Sequence, residues 1–445
     1  MDVWPVPKKM TRREALALFG KGALTYPLVN MALVGLSCGG RKPKPVSAAP
    51  TPAPITDEQF LDQMEQAIFL YFWEQASLTT GLVLDRAYAT GAEDARTRSS
   101  IAATGFGLAI LCIAAERGYL PRAEIQDRVL TTLKFIWNTL PHQNGFFYHF
   151  VDMNTGERAL RSELSSMDTS ILLCGILTCR QYFQDQQIQT LATDIYRRVN
   201  WQWMLNGGTT FAMGWMPESG FIPYRWDTYS EMMMIYLLAI GSPTFPVSAS
   251  SWDAFARPRV TFEGYTYISG YGPLFIHQFS HAWFDFRDKQ DAYANYFNNS
   301  VTATEAHKAF CLSYASQFSD YTNNLWGITA SDSQNHGYVI WGGPPPMGPI
   351  DGSIVPCAAG GSIPFASADC IAVLRNIWSR YPNAWQRYSF VDSFNPQTAW
   401  YAPDALGIDL GITALMAENY RSQFVWNTFM KNPEAKAAMA AVGFK

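Results

Sequence analysis

Apolar residues recur at helical spacing along most of this chain, and nearly uncharged runs alternate with amphipathic ones. A first helix starts at Thr56, which with Gln59 makes a capping box, and extends to residue 76. Further helices are predicted over 99–117, 121–138, 166–183, 187–203, 227–240, 250–256, 274–284, 291–318, 367–380, 383–390 and 409–430, with a terminal piece at 433–441. Loops after the even-numbered helices are short (118–120, 184–186, 241–249, 285–290). Those after the odd-numbered ones are long (77–98, 139–165, 204–226, 257–273, 319–366, 391–408) and carry Asp, Glu and Trp residues among their turns. Segments 145–151 and 211–215 read as hairpins within them. The even helices are the more apolar, as at 171–175, 232–240 and 411–416, and such helices are buried on most faces. An inner and an outer ring of six helices follow: an all-α, (α/α)6 toroid with small β-hairpins in the long loops and one open mouth. A helical solenoid is the alternative, and the lack of a fixed repeat length argues against it. No second domain is predicted in 56–445.

The composition, 48% hydrophobic and 16% charged over 445 residues, supplies a large core. Aromatics reach 15%, and Trp and Tyr beside Gly, Pro and Asp in loops suit a binding surface, being flat and apolar with a polar edge. Near the start, Arg12 and Arg13 follow Thr11, ahead of an apolar stretch over 15–37 that Lys21 interrupts, as in a twin-arginine export signal. Cys38 after Leu36 and Ser37 fits a bacterial lipoprotein cleavage site, although Gly35 stands where an aliphatic residue is expected. Residues 39–55, rich in Pro, Ala, Gly and Lys, read as a flexible tether. An exported, periplasmic or outer-membrane-anchored monomer is expected, held to a membrane only through a lipid on Cys38. The first 55 residues carry 8 Lys+Arg and 2 Asp+Glu, which leaves 25 against 35, a net charge of about −10, on the domain. That balance disfavours nucleic acid and anionic lipid and suits a neutral polymer. The remaining cysteines, Cys112, Cys174, Cys179, Cys311, Cys357 and Cys370, form no CxxC pair and read as buried thiols.

Carboxylates cluster where long loops enter inner helices. Glu163 and Asp168 open the fourth helix in SELSSMDTS; Asp168 also suits a helix cap. Glu218 lies in GWMPESGF, and Asp227 and Glu231 in RWDTYSEMMM. The apolar run after Glu231 predicts burial, and a buried carboxyl needs a partner or a task. Burial raises the pKa of such a group, which suits a general acid. Asp404 and Asp409 flank the start of the last long helix, and Glu418 within it is matched by Arg421. Hydrolysis of a glycoside needs two carboxyl groups, one on each side of the scissile bond. His277 and His281 stand four apart, but no HExxH pattern or further Cys/His set completes a metal site, so neither a metal nor another cofactor is expected. His281, Trp283, Asp285 and Arg287 in SHAWFDFR read as a hydrogen-bonding rim for hydroxyls. Neither a Gly-x-Ser-x-Gly elbow nor a phosphate loop offers another chemistry.

The strings SSIAATGFGLAIL, GFFYHFVDMNTGERA, SELSSMDTS, GWMPESGF, SHAWFDFR, WGITASDS and DGSIVPCAAGGSIPF together resemble the glucoamylase-like family that includes the bacterial endo-β-1,2-glucanases, glycoside hydrolase family 144. The resemblance covers about residues 56–426. It implies a single metal-free (α/α)6 toroid that hydrolyses linear β-1,2-glucan to sophoro-oligosaccharides with inversion at the anomeric carbon; some relatives instead release sophorose from chain ends. By the same resemblance Glu231 is the general acid and Asp409, in GIDLG, stands on the base side, with Asp168 and Glu163 as the next candidates. Leu410 departs from the family, whose members tend to carry Gln there. Trp215, Trp226, Trp283, Trp341 and Trp400 are expected as sugar platforms, and Arg86, Arg225 and Arg287, with Glu218, as contacts to hydroxyls. A polysaccharide lyase, which needs a basic cleft, fits the charge poorly, and the carboxylates disfavour a glycan-binding lipoprotein without activity.

Overall fold

The computed structural model describes residues 55–445; Arg12, Arg13 and Cys38, with the export and lipid-attachment readings that rest on them, lie outside the described residues. Helix α1 (Asp57–Glu74) starts as predicted: Thr56 Oγ1 accepts from the Gln59 amide at 3.2 Å, and the Gln59 side chain accepts from the Thr56 amide at 2.9 Å. It continues through α2 (Ile101–Arg117), α3 (Arg122–Asn138), α4 (Ser166–Tyr182), α5 (Gln186–Arg197), α6 (Trp201–Leu205), α7 (Met233–Ile240), α8 (Tyr296–Ser313), α9 (Pro356–Gly360), α10 (Ser367–Arg380), α11 (Gly407–Arg421), α12 (Phe424–Phe429) and α13 (Pro433–Ala441).

The inner ring runs α2, α4, α7, a pair of 3-10 turns (Leu274–His277 and Phe279–Ala282), α9 and α11, which closes back on α2. These elements are buried on almost every face; in α2 every residue from Ile101 to Ala114 is buried. The closest approach is between α2 and α4, where a Cβ on Gly175 would lie 2.0 Å from the Gly105 carbonyl oxygen, so only glycine permits that crossing. Outer elements are α1, α3, α5 with α6, a 3-10 turn at Ala249–Ala254, α8 and α10. They bury single stripes: in α5 the buried residues are Ile188, Ala192, Ile195 and Tyr196. The architecture is the expected (α/α)6 toroid with small antiparallel hairpins.

Several elements differ from the sequence-based reading. Segment 227–240 is helical only from Met233; before it, the Tyr229 amide donates to Ala256 O and the Ala256 amide to Asp227 O, each at 2.8 Å, so this stretch pairs with the chain at 256. Segment 187–203 breaks at Asn200, whose side chain caps a new turn by accepting from the Trp203 amide at 3.0 Å. Segment 274–284 forms two 3-10 turns, 383–390 forms a 3-10 turn and a short hairpin, and 409–430 is interrupted at Gln423, in left-handed backbone with φ 62°. Most consequentially, Pro356–Gly360, inside the predicted 319–366 loop, is the fifth inner element, and α10, which packs on it, is an outer helix rather than an inner one.

The long loops, 75–100, 139–165, 206–232, 255–273, 314–355 and 381–406, all lead into the N-terminal ends of inner elements and share one end of the ring. Short antiparallel ladders stitch them together: Arg86–Tyr88 with Asp404–Leu406, Arg98–Ser100 with Phe150–Asp152, and Leu164–Ser165 with Gly214–Met216. The opposite end is closed by ions. Arg117 reaches Glu418 at 2.8 Å, and the buried Arg421 reaches Glu58 and Glu65 at 2.5 Å and Asp62 at 3.1 Å; its separation from Glu418 is 3.8 Å.

Candidate active site

At the looped end the inner ring opens on a cavity of about 240 Å³. Ile171, Phe275, Phe279 and Ile408 give it apolar walls, and Arg86, Arg98, His149, Glu163, Asp168 and Glu231 bring charge and hydrogen-bonding groups to them.

The first polar group comes from the ladder that precedes α4. Ser165 caps that helix, accepting from the Asp168 amide at 3.0 Å and donating to Asp168 Oδ2 at 2.5 Å. His149, stacked on Phe150 with ring centroids 3.8 Å apart, places Nδ1 3.1 Å from Glu163 Oε1 and Nε2 3.4 Å from Asp168 Oδ1. Burial depresses the imidazole's pKa, but the two carboxylates outweigh it and bring it up to about 9. His149 is therefore an imidazolium at neutral pH. Burial raises Asp168, while His149 and Ser165 oppose the rise. The donor atoms of His149, Glu163 and Asp168 lie within 4.8 Å of one another.

The second is Glu231, buried at 4% exposure in the turn before α7. Its carbonyl accepts from Ser280 Oγ at 2.5 Å, and that oxygen in turn accepts from the Met234 amide at 3.0 Å, which ties the turn to the adjacent inner element. Trp226 lines the cavity beside it, its indole N–H donating to Ser166 Oγ at 2.9 Å.

The third is a charged network behind Arg86. This guanidinium contacts Asp332 at 2.8 Å, Asp85 at 3.3 Å and Asp404 at 3.9 Å. Arg96 holds Asp404 from the other side at 2.7 Å. The Asp332 amide donates to Asp392 Oδ2 at 2.7 Å, and Asp392, Asp409 and Cys357 line one small hollow together. Burial pushes the Asp409 carboxyl up to about 6, with Asp392 and Cys357 restraining it. Burial, Asp332 and Asp409 together raise Asp392 well above the carboxylate range. Asp409 lines a hollow of about 70 Å³ beside the main cavity. The two spaces share Phe275, Phe279, Ala330, Tyr338 and Ile408 as walls.

Of the residues singled out in the sequence, Arg86, Glu163, Asp168, Trp226 and Glu231 line the main cavity, and Asp409 the adjoining hollow. The others lie elsewhere. Trp215 packs on Trp203 in a three-stranded ladder, and Glu218 is an exposed partner of Arg158 at 2.6 Å. Arg225 is spent on Thr210 and the Leu205 carbonyl. The SHAWFDFR rim is not a rim: the inner-ring turn points its rings into the core. Trp283 is fully buried against Phe106 with centroids 5.0 Å apart, and buried His281 sits 3.1 Å from Ser300 Oγ with burial driving its pKa down to about 3. Asp285 and Arg287 follow at the far end of the ring, paired at 2.9 Å, with Arg287 over the Trp426 ring. Trp341 is fully buried, and Trp400 is half-buried in a hairpin with Asn395. Sequence reasoning missed His149, Asp332, Tyr338 and Asp392. No periodicity marks them; antiparallel pairing of distant loops brings them in.

The glycoamylase family model matches residues 223–433 of the chain. A curated relative, the exo β-1,2-glucooligosaccharide sophorohydrolase (non-reducing end) of Parabacteroides distasonis, is 27% identical over 435 residues, covering 88% of this chain. The chain spans about three fifths of that relative's length, 59%. Among solved structures, the endo-β-1,2-glucanase of Chitinophaga pinensis, in complex with sophorotriose and glucose, superposes with a TM-score of 0.80 at 25% identity, covering 88% of this chain and 99% of that one. A β-1,2-glucanase from Parabacteroides distasonis gives 0.81 at 26% identity, covering 88% of this chain and 60% of that one. With the family model seated on its second half and the same toroid shared over nearly nine tenths of its length, this chain is similar in sequence and fold to the glucoamylase-like family.

Proposed function

We propose that this protein is a glycoside hydrolase that cleaves β-1,2-glucan within the chain, with inversion. What carries the reading is the placement of buried Glu231 in the wall of the carbohydrate-sized cavity, with a second carboxyl, Asp409, in the hollow that shares its walls. Glu231 gives its proton to the glycosidic oxygen as the C1–O bond breaks. A water entering from the side of the hollow attacks C1 and loses its proton to Asp409. Asp168 is the second candidate for the base, because it lines the main cavity itself. Arg86, Arg98 and imidazolium His149 are the donors available to sugar hydroxyls, and Trp226 offers a ring edge.

Coverage of 99% of a single endo-β-1,2-glucanase chain supports internal cleavage. One observation favours a second reading, attack from a chain end. The hairpin Ala330–Ser333/Gly337–Ile340 contributes Ala330, Tyr338 and Ile340 to the cavity wall and is fastened by the Arg86–Asp332 bridge at 2.8 Å, which narrows the mouth. Incubation with linear β-1,2-, β-1,3- and β-1,4-glucans, followed by chromatography of early products, tests both. A ladder from the β-1,2-glucan alone is expected; a single disaccharide selects the second reading, and no new reducing ends from it would overturn both. The protein works outside the cytoplasm as a monomer, tethered through a lipid on Cys38; Cys38→Ala protein that still fractionates with membranes would remove the tether.

A further inference from the structure

We propose that Asp392 is a positioning residue for hydrolysis, sharing one proton with Asp409 and so holding Asp409 as the carboxylate that receives the proton of the attacking water. The inference rests on the assignment of Asp409 as base.

Asp392 and Asp409 come from different elements, the 381–406 loop and the first turn of α11, and both are buried, at 2% and 8% exposure. Together with Cys357 they line one small hollow of about 10 Å³. Asp392 is fixed at both ends. Its amide donates to Asp404 O at 2.9 Å, and its Oδ2 accepts from the Asp332 amide at 2.7 Å. The other oxygen, Oδ1, meets no protein donor among the described residues, and neither does Asp409 Oδ2. Two adjacent buried carboxyls, each with an oxygen lacking a donor among the described residues, are jointly satisfied by one proton held between them. A dianion would set two like charges side by side in a buried site.

The surroundings decide which carboxyl keeps the proton. Asp409 faces the Cys357 thiol of α9, and the negative field of Asp332 and the positive field of Arg86 both reach it. Asp392 faces Asp332 and Asp409, and Asp332 takes the direct contact with Arg86 at 2.8 Å. Tyr338 of the same hairpin stands close enough to feel both carboxylates, and Asp404 is neutralised by Arg96. The anion therefore settles on Asp409, next to the hollow that opens beside the cavity, and the proton on Asp392, away from it. When the attacking water's proton arrives at Asp409 the pair holds two protons, both carboxyls become neutral, and the pair resets by releasing one. Asp392 touches no reacting atom in this scheme; it sets the charge of the group that does.

The test compares pH–kcat profiles of the full chain on linear β-1,2-glucan for the parent, Asp392→Asn and Asp392→Ala. The amide of Asn still donates to Asp409, so its acid limb should stay within about half a pH unit of the parent, with a kcat loss under about tenfold. The Ala variant loses the donor, so its acid limb should move up by about one unit or more, with a kcat loss on the order of 100-fold at pH 5.5 and little change in KM. Equal damage from both substitutions, or a parent-like profile in Asp392→Ala, would overturn the proposal. Infrared difference spectra between the parent and Asp392→Asn at pH 7 give a readout independent of turnover. The difference should show the carbonyl stretch of one protonated carboxylic acid on the parent's side; a difference without that band also overturns the idea. Asp409→Asn separates the two levels: parent-like turnover in that variant removes the base assignment, whereas an inactive Asp409→Asn with an unmoved Asp392→Ala profile removes only the role of Asp392.

Discussion

Replacing Asp409 with Asn removes a charge that the fold holds against its own preference. An Asp in an unfolded chain titrates near 3.8, and burial takes Asp409 to about 6. A gap of about two pH units corresponds to roughly 3 kcal/mol between the charged and neutral forms. The sign follows from linkage. The folded protein binds this proton more tightly than the unfolded chain, so the group's stabilising contribution is present below about pH 4 and is lost as pH rises through about 6. Asp409→Asn, neutral and of nearly the same shape, should match the parent in stability at pH 4. At pH 7.5 it should be more stable by about 3 kcal/mol. For a domain of roughly 390 residues, with an unfolding entropy near 0.8 kcal/mol/K, that is a rise of ~4 °C in Tm. The same variant should lose turnover, the pattern expected when a site keeps a group that the fold would rather discard. Thermal unfolding followed by circular dichroism at pH 4, 5, 6 and 7.5 measures the difference directly. A difference that does not grow between pH 4 and 6, or a variant less stable than the parent at pH 7.5, would refute the reasoning.

His149 should act with the same pH sense in a more alkaline window. Its folded value near 9 lies above the ordinary 6.5, so its ion pairs stabilise fully below about 6.5 and fade as pH rises through about 9; His149→Gln should lack that alkaline loss in pH-dependent urea unfolding. Gly175→Ala should destabilise the fold by at least about 3 kcal/mol in the same assay, because the new Cβ meets backbone of α2 that has nowhere to go. Arg421→Met should cost about 3–5 kcal/mol by stranding the buried carboxyls of Glu65 and Glu418, with kcat unchanged because the network lies at the closed end of the ring.

The sequence carried the architecture further than it carried the site. The uncharged run 101–114 and the Thr56 capping box read correctly because burial on all faces and cap chemistry are local properties. Glu231 could be found because a carboxyl beside a Met-rich run is conspicuous. Residues 356–360 could not, because five residues among Gly and Ala give no periodicity, and their place in the ring is fixed by packing on α11. For the same reason the pattern over 367–380 reads as an inner helix, although the single buried stripe of α10 is that of an outer one. SHAWFDFR misled because its polar letters look like a surface, whereas the turn aims Trp283 at Phe106 across the ring. His149 and Asp392 were invisible because their neighbours lie on strands paired across 50 and more than 300 residues, as Ser100 with Phe150 and Arg86 with Leu406 show.

The central claim is that Glu231 delivers the proton to a β-1,2-glucan held in the main cavity. Its most direct test is Glu231→Gln, assayed by reducing-end release from linear β-1,2-glucan alongside calorimetric binding of a sophoro-oligosaccharide. The account predicts binding close to that of the parent, with turnover reduced by a factor on the order of 10³. Turnover within a few-fold of the parent would contradict it.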